Sequence, residues 1–256
     1  MTTDPRQRWR LVVARDEAAR ELVHRDVVTA WEAGLREVGL PIAMSETATP
    51  RPRISFAAPA PIGMLAEREL IDVVLTERVL LPDMRTAVEA AAPAGYRCVD
   101  LYDVWLGRPT LAGLVASADY RATVTTEAGE GPTAGDPEPA EIETAVGALL
   151  AAPRIEFART KGQGEVTVDI RPHIHGLRSA ATPIVAGGAS ASASAVDGAL
   201  AAGGTFELWM RLRLGGEGGV GRPEEVVAAL GRELGRRLVA SRLVRERIVL
   251  ADDPDA

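Results

Sequence analysis

Three features of the sequence predict an α+β fold of two tandem ferredoxin-like halves with antiparallel sheets. Short segments alternate apolar and polar residues with period two. Between them lie segments whose apolar residues recur at helical spacing. The resulting order, β-α-β-β-α-β, starts again in the second part of the chain. A chain of 256 residues is long enough for two ordinary domains.

In the first half, Arg8 to Ala14 (RWRLVVA) alternates Trp9, Leu11 and Val13 against arginines and predicts a strand. From His24 to Leu40, Val27, Val28, Trp31, Leu35 and Val38 predict a helix, stopped by Gly39 and Pro41. Strands follow at Arg53–Ala58 and Leu70–Thr76. Pro82 and Asp83 suit the first turn of a second helix, whose apolar side is Met84, Ala87, Val88 and Ala91. Tyr96–Trp105 closes the half as a strand.

The first half thus occupies 1–106, and 107–118 is a linker. The second half, 119–256, repeats the element order without residue-level identity. It reads as a strand at Asp119–Thr126, an acidic Gly/Pro loop over 127–139 and a helix at Ala140–Ala152. A hairpin of Ile155–Lys161 and Glu165–Ile174 turns at Gly162-Gln163-Gly164. After it come a strand at Thr205–Leu214, a helix opened by Pro223 and its two glutamates, and a strand at Arg242–Leu250. Residues 180–204 are a low-complexity Ala/Gly/Ser insertion, which predicts a disordered surface loop.

Composition narrows the function classes. One cysteine, Cys98, excludes an internal disulfide framework and a cysteine-based zinc or iron–sulfur site. No run of 18 apolar residues is present, and the N-terminus has no apolar signal core, so the expectation is a cytoplasmic protein with no membrane span. The net charge of −7 argues against nonspecific coating of nucleic acid. The acidic surplus is concentrated in 61–150, however, which leaves room for a basic surface elsewhere. Lys161 is the one lysine among 29 basic residues. Arginine's planar fork suits phosphate better than a lysine ammonium does.

One segment carries a family resemblance. Met44 to Phe56 (MSETATPRPRISF) resembles YSQGFNPHPRISF of the radical SAM-linked protein family, a domain of unknown function numbered 2344. His24-Arg25-Asp26 resembles that family's SHLDL helix start, and LREVGLPI at 35–42 its LRRAGLPL. APIG at 60–63 resembles LPLG, and ELIDVVL at 69–75 resembles EYLDVEL. LAGLVASADY at 111–120 is similar to LMALIAAAEY, and VDIRPHI at 168–174 to VDIRPLI. The matches keep their order from about Trp9 to the C-terminal strand.

The family typically lies beside, or fused to, a radical SAM protein with a cobalamin-binding domain, and near ribonuclease and ribosomal-protein genes. The resemblance therefore implies a radical SAM partner and a link to RNA. The chain departs from the family at Met44, Thr47, Ala48, Thr49 and Arg51, which stand where the family has Tyr, Gly, Phe, Asn and His. An aromatic able to stack on a base is thereby missing from this loop.

The candidate site residues follow. Arg51 and Arg53 flank Pro52 in a stiff loop, placed to clamp a phosphate or carboxylate, with hydroxyls from Ser45 and Thr49 nearby. His24 is a candidate proton carrier oriented by Asp26, although Asp26 also suits capping of the helix start. Arg159, Lys161 and Arg171 predict a basic patch across the hairpin, extended by Arg211 and Arg213. Asp169 and Arg171 share a face and predict an ion pair. His173 and His175 share a face too, but no third ligand completes a zinc site, so no metal or other cofactor is expected. Gly215–Gly221 lacks the P-loop and dinucleotide signatures and predicts a flexible turn.

The expectation is a noncatalytic substrate-binding or docking partner of a radical SAM enzyme, acting with RNA or tRNA in a modification reaction. The alternatives are an RNA-processing or RNA-modifying enzyme using His24 and Asp26, and a pure protein-interaction module.

Overall fold

Strand β1 (Gln7–Arg15) lies at the centre of the first half because its alternation sorts two faces. Trp9, Leu11 and Val13 pack into one core cluster and Val12 into another. In this computed structural model the described residues are 5–127, 136–161, 164–180, 205–216 and 218–254. The architecture is α+β, dominated by mixed sheet with few helices. Two compact units are present: Met1–Asp119 with Leu214–Gly219 and Val244–Ala256, and Tyr120–Arg213 with Val220–Leu243.

In the first unit, β1 pairs antiparallel with β3 (Leu65–Leu75) on one side and with β4 (Tyr96–Asp103) on the other. Strand β2 (Ile54–Phe56) is short and pairs antiparallel with Ile71–Val73 of β3. Strand β3 begins at Leu65 rather than Leu70. Leu65 and Ala66 lie parallel to Val244 and Arg245 of β10 (Leu238–Leu250), a partner remote in sequence. Helices α1 (His24–Glu37) and α2 (Leu81–Ala91) bury Val27, Trp31, Leu35, Met84 and Val88 against Trp9, Leu11, Ile71 and Val73. They approach closely because Gly34 has no side chain, and a Cβ there would sit 2.2 Å from the Ala91 carbonyl oxygen. The 107–118 segment expected as a linker holds a short helix, α3 (Leu111–Leu114), and the start of β5 (Val115–Thr126). Leu111 and Leu114 join Val12, Leu70, Ile248 and Leu250 in the second apolar cluster.

Buried charged groups of this unit are paired. Asp72 accepts from Arg8 Nε (2.8 Å) and from Arg10 Nε (2.7 Å). Arg8 also donates to the carbonyls of Arg108 and Pro109, fixing the chain after β4. Arg245 Nε donates to Glu69 Oε1 at 2.6 Å, and its Nη2 to the Ala58 carbonyl. Such networks hold only when every donor is met, since a stranded buried charge is costly.

In the second unit the strand order is β10-β5-β9-β8, with β8 (Ile174–Ala180) and β9 (Thr205–Arg213) antiparallel. Helices α4 (Pro139–Ala151) and α5 (Pro223–Glu233) supply Ile142, Val146, Leu149, Val226, Val227 and Leu230 to the buried set. The predicted hairpin forms as β6 (Glu156–Lys161) and β7 (Gly164–Asp169), but as a separate two-stranded sheet. Strand β7 stops at Asp169, not Ile174. Asp169 Oδ1 accepts the amides of Ile155 (2.9 Å) and Arg171 (3.0 Å), and Arg171–His173 then turns as a 3-10 helix around Pro172. The strand that follows, β8, has no clear signature in the sequence. Of the predicted insertion, Ala180 ends β8, and 181–204 lie outside the described residues. So do 128–135 of the acidic loop, Gly162 and Gln163 of the hairpin turn, and Glu217 of the glycine-rich turn. Among the described residues, no helix is long and apolar enough to cross a membrane.

Candidate anion-binding site

The 42–53 segment is a hydrogen-bonded loop, although its sequence is rich in proline and hydroxyls. Bridges join Ile42 to Leu75 and Met44 to Pro52. The Ser45 amide donates to the Arg51 carbonyl and the Arg53 amide to the Ala43 carbonyl, both at 2.8 Å. Ser45 Oγ accepts the Arg51 amide at 2.9 Å and lies 3.1 Å from Thr47 Oγ1, whose own proton goes to the Thr49 carbonyl at 2.8 Å. Ser45 thus uses its hydroxyl to hold the loop, leaving that proton no anion to serve. Thr49 contributes a carbonyl to the same network.

From Arg51 to Phe56 exposure alternates strictly. Arg51, Arg53 and Ser55 point outward, whereas Pro52, Ile54 and Phe56 are half-buried. Ile54 and Phe56 anchor this edge against the helix-side core. The backbone that carries Arg51 and Arg53 is therefore fixed, and both guanidiniums face solvent with no ion pair among the described residues. That is the arrangement an anion clamp requires: two fork-shaped cations at alternate positions on a rigid carrier.

His24 and Asp26 are not brought together. Asp26 pairs with Arg25 at 3.5 Å on the surface, and the helix start at Val23 has no side-chain cap bond, so Asp26 does not cap it either. It still lies in the first turn, where its charge suits the helix dipole. His24 instead stands edge-on to Phe56, ring centroids 5.4 Å apart, over a cavity shared with Arg15, Glu69 and Tyr96. Burial pushes its imidazole below the ordinary range. Arg15 pushes the same way and Glu69 opposes. The cavity measures about 20 Å³, room for about one water and no substrate. Arg15 itself donates to the carbonyls of Ala19, Arg20, Leu22 and Ala60. Sequence reading missed Arg15, Glu69 and Tyr96 because they come from three separate strands.

The hairpin patch disperses as well. Arg159 is bidentate to Glu225, both hydrogen bonds 2.7 Å, and also donates to the Val220 carbonyl. Arg171 donates to the carbonyls of Leu150 and Ile174 and makes no ion pair with Asp169, which is occupied by amides. Lys161 ends β6. His173 is buried while His175 is exposed, so the two do not share a face. Among the described residues, no group of three metal-ligating side chains occurs. Cys98 is half-buried, and burial raises its thiol pKa. A pairing the sequence does not foreshadow joins β8 to β9: the Arg178 guanidinium lies 4.2 Å above the Trp209 ring. The alternation of TFELWMRLR announces the strand, but not its partner.

The model of the family described as "Uncharacterized protein conserved in bacteria (DUF2344)" matches residues 8–202. No curated protein matches. Among solved structures the chain is similar to one in the crystal structure of a Cbf5-Nop10-Gar1 complex, at 9% identity and a TM-score of 0.47, covering 93% of this chain and 49% of that one. It is also similar to one in the crystal structure of the archaeal box H/ACA sRNP Nop10-Cbf5 complex, at 10% identity and a TM-score of 0.41, covering 92% and 47%. The chain spans about half the length of these two.

Proposed function

The chain belongs to that family of uncharacterized bacterial proteins, and from this premise we propose that it is a noncatalytic docking protein that grips RNA phosphates in the cytoplasm and serves a radical SAM enzyme acting in trans in RNA or tRNA modification. The observation that carries the reading is the loop. Arg51 and Arg53 stand exposed on a backbone tied by Ser45, Ala43 and Thr47. A phosphate meets two preorganised forks there without first ordering the protein.

The composition supports a partner in trans. The one cysteine of this sequence cannot supply the three cysteine ligands of a radical SAM cluster. The separation of His24 from Asp26 supports docking over catalysis.

The ferredoxin-like scaffold draws support from strand order. The first unit runs β4-β1-β3 with β2 beside β3. The second, with the β6–β7 hairpin set aside, runs β10-β5-β9-β8. Both orders place the last strand beside the first and the third beyond it, as a β-α-β-β-α-β unit requires. In covalent order the proposal keeps halves of 1–106 and 119–256 on either side of the 107–118 segment.

The test is capture of the tagged chain from its own cells, with the bound RNA sequenced and the bound proteins identified. The expected result is a radical SAM protein together with RNA, the RNA being lost in the Arg51→Ala/Arg53→Ala variant. Recovery of neither contradicts the proposal.

A further inference from the structure

The sheet of the second unit has two unlike sides. Strand β9 buries Phe206, Leu208, Met210 and Leu212 on the helix side. At the alternate positions it presents Thr205, Glu207, Trp209, Arg211 and Arg213, all partly exposed. The neighbouring β5 turns Arg121 and Thr123 to partial exposure between buried Tyr120, Ala122 and Val124. On the other flank, Arg178 of β8 lies opposite Trp209 in register and covers its ring at 4.2 Å.

Among the described residues of these three strands in the second unit, this side carries Arg121, Arg178, Arg211 and Arg213 against the carboxylate of Glu207. Glu207 is engaged by the Thr123 hydroxyl at 2.7 Å. His175, exposed beside them, reports the same positive field. After burial, Arg213 and then Arg211 hold its imidazole below the ordinary range. A chain of net charge −7 has thus gathered cations and an aromatic ring on one sheet face.

We propose that this face, with Trp209 and Arg178 at its centre and Arg211 and Arg213 beside them, is a second RNA contact that stacks an unpaired base and holds its flanking phosphates. Sheet-type RNA binders use this division of labour, aromatic rings on central strands for bases and cations around them for the backbone. Here Trp209 lies on a strand flanked on both sides, by β5 and β8. Arg178 substitutes for a second aromatic, because a guanidinium plane also stacks on bases. A polyanion with flat π-faces satisfies both halves of this surface, whereas an acidic peptide satisfies only the charges. The inference rests on the RNA reading above but assigns a different surface from the Arg51/Arg53 loop.

The test uses the full chain carrying Trp105→Phe, which removes the exposed tryptophan and leaves Trp209 as the partly exposed indole over buried Trp9 and Trp31. A short single-stranded RNA of mixed sequence is titrated in by fluorescence anisotropy while indole emission is followed. The expected result is quenched emission on binding, with affinity lowered about tenfold or more by Trp209→Ala and restored by Trp209→Phe. Arg178→Glu/Arg213→Glu, at exposed or partly exposed positions, should lower affinity at least as much without changing the melting temperature.

RNA bound at full affinity by these variants, with emission unchanged, overturns the face and leaves the loop reading standing. Binding that survives Arg51→Ala/Arg53→Ala but not the face variants supports the face and removes the loop. No RNA binding by the parent chain removes both. Polyglutamate binding with the same sensitivity to the variants, and no quenching by RNA, overturns the stacking role.

Discussion

Partial burial of His24 ties its protonation to the fold. Its imidazole is depressed below the ordinary value of about 6.5 by burial and then by Arg15. The unfolded chain therefore binds a proton first as pH falls. The stability this group contributes is present above about pH 6.5 and is lost as pH drops through the lower folded-state value. His175 is depressed in the same direction and adds to the effect. Thermal melts are expected to show a falling Tm on acidification through that window, with a shallower fall in His24→Gln. An unchanged slope in that variant excludes His24 as a source. At Arg245 the prediction is stronger. Removing the guanidinium strands the Glu69 carboxylate beneath the 57–60 segment. Arg245→Ala should cost about 3–5 kcal/mol in urea unfolding.

Helix packing and loop geometry act one level up. Gly34 sits against the Ala91 carbonyl, so Gly34→Leu should separate α1 from α2 and destabilise the first unit by about 1–3 kcal/mol, measured by denaturant unfolding. Ser45→Ala removes the acceptor of the Arg51 amide. It should weaken RNA binding through a loosened loop while leaving Tm within about a degree, since a surface hydrogen bond contributes little to global stability.

At this scale the sequence is readable where period and partner are local. Trp9, Leu11 and Val13 announce β1, Val27, Trp31 and Leu35 announce α1, and Phe206 to Leu212 announce β9. What escapes it is long-range. The parallel pairing of Leu65–Ala66 with Val244–Arg245 lengthens β3, and no local pattern encodes it. The end of β7 is hidden too, because it is set by two amides converging on the Asp169 carboxylate. The site follows the same logic. Arg51 and Arg53 are visible as an RPR motif. The internal partners that occupy Arg159 and Arg171 lie on other elements and are not.

For the whole molecule, the proposed function turns on how a chain of net charge −7 would bind a polyanion. Placement is the answer: arginines exposed on a rigid loop in the first unit, and arginines around Trp209 in the second. Binding through a few phosphates must weaken steeply with salt. Deleting one phosphate-binding cation reduces the slope of log K against log salt by about 0.7 for a single strand. The most direct measurement is therefore the affinity of the full chain for a labelled single-stranded RNA across a salt series, compared with Arg51→Ala/Arg53→Ala. The predicted result is weaker binding in the variant at every salt concentration, with a slope shallower by about 1–1.5, as two missing cations require. Equal affinity and equal slope for the two proteins would contradict it.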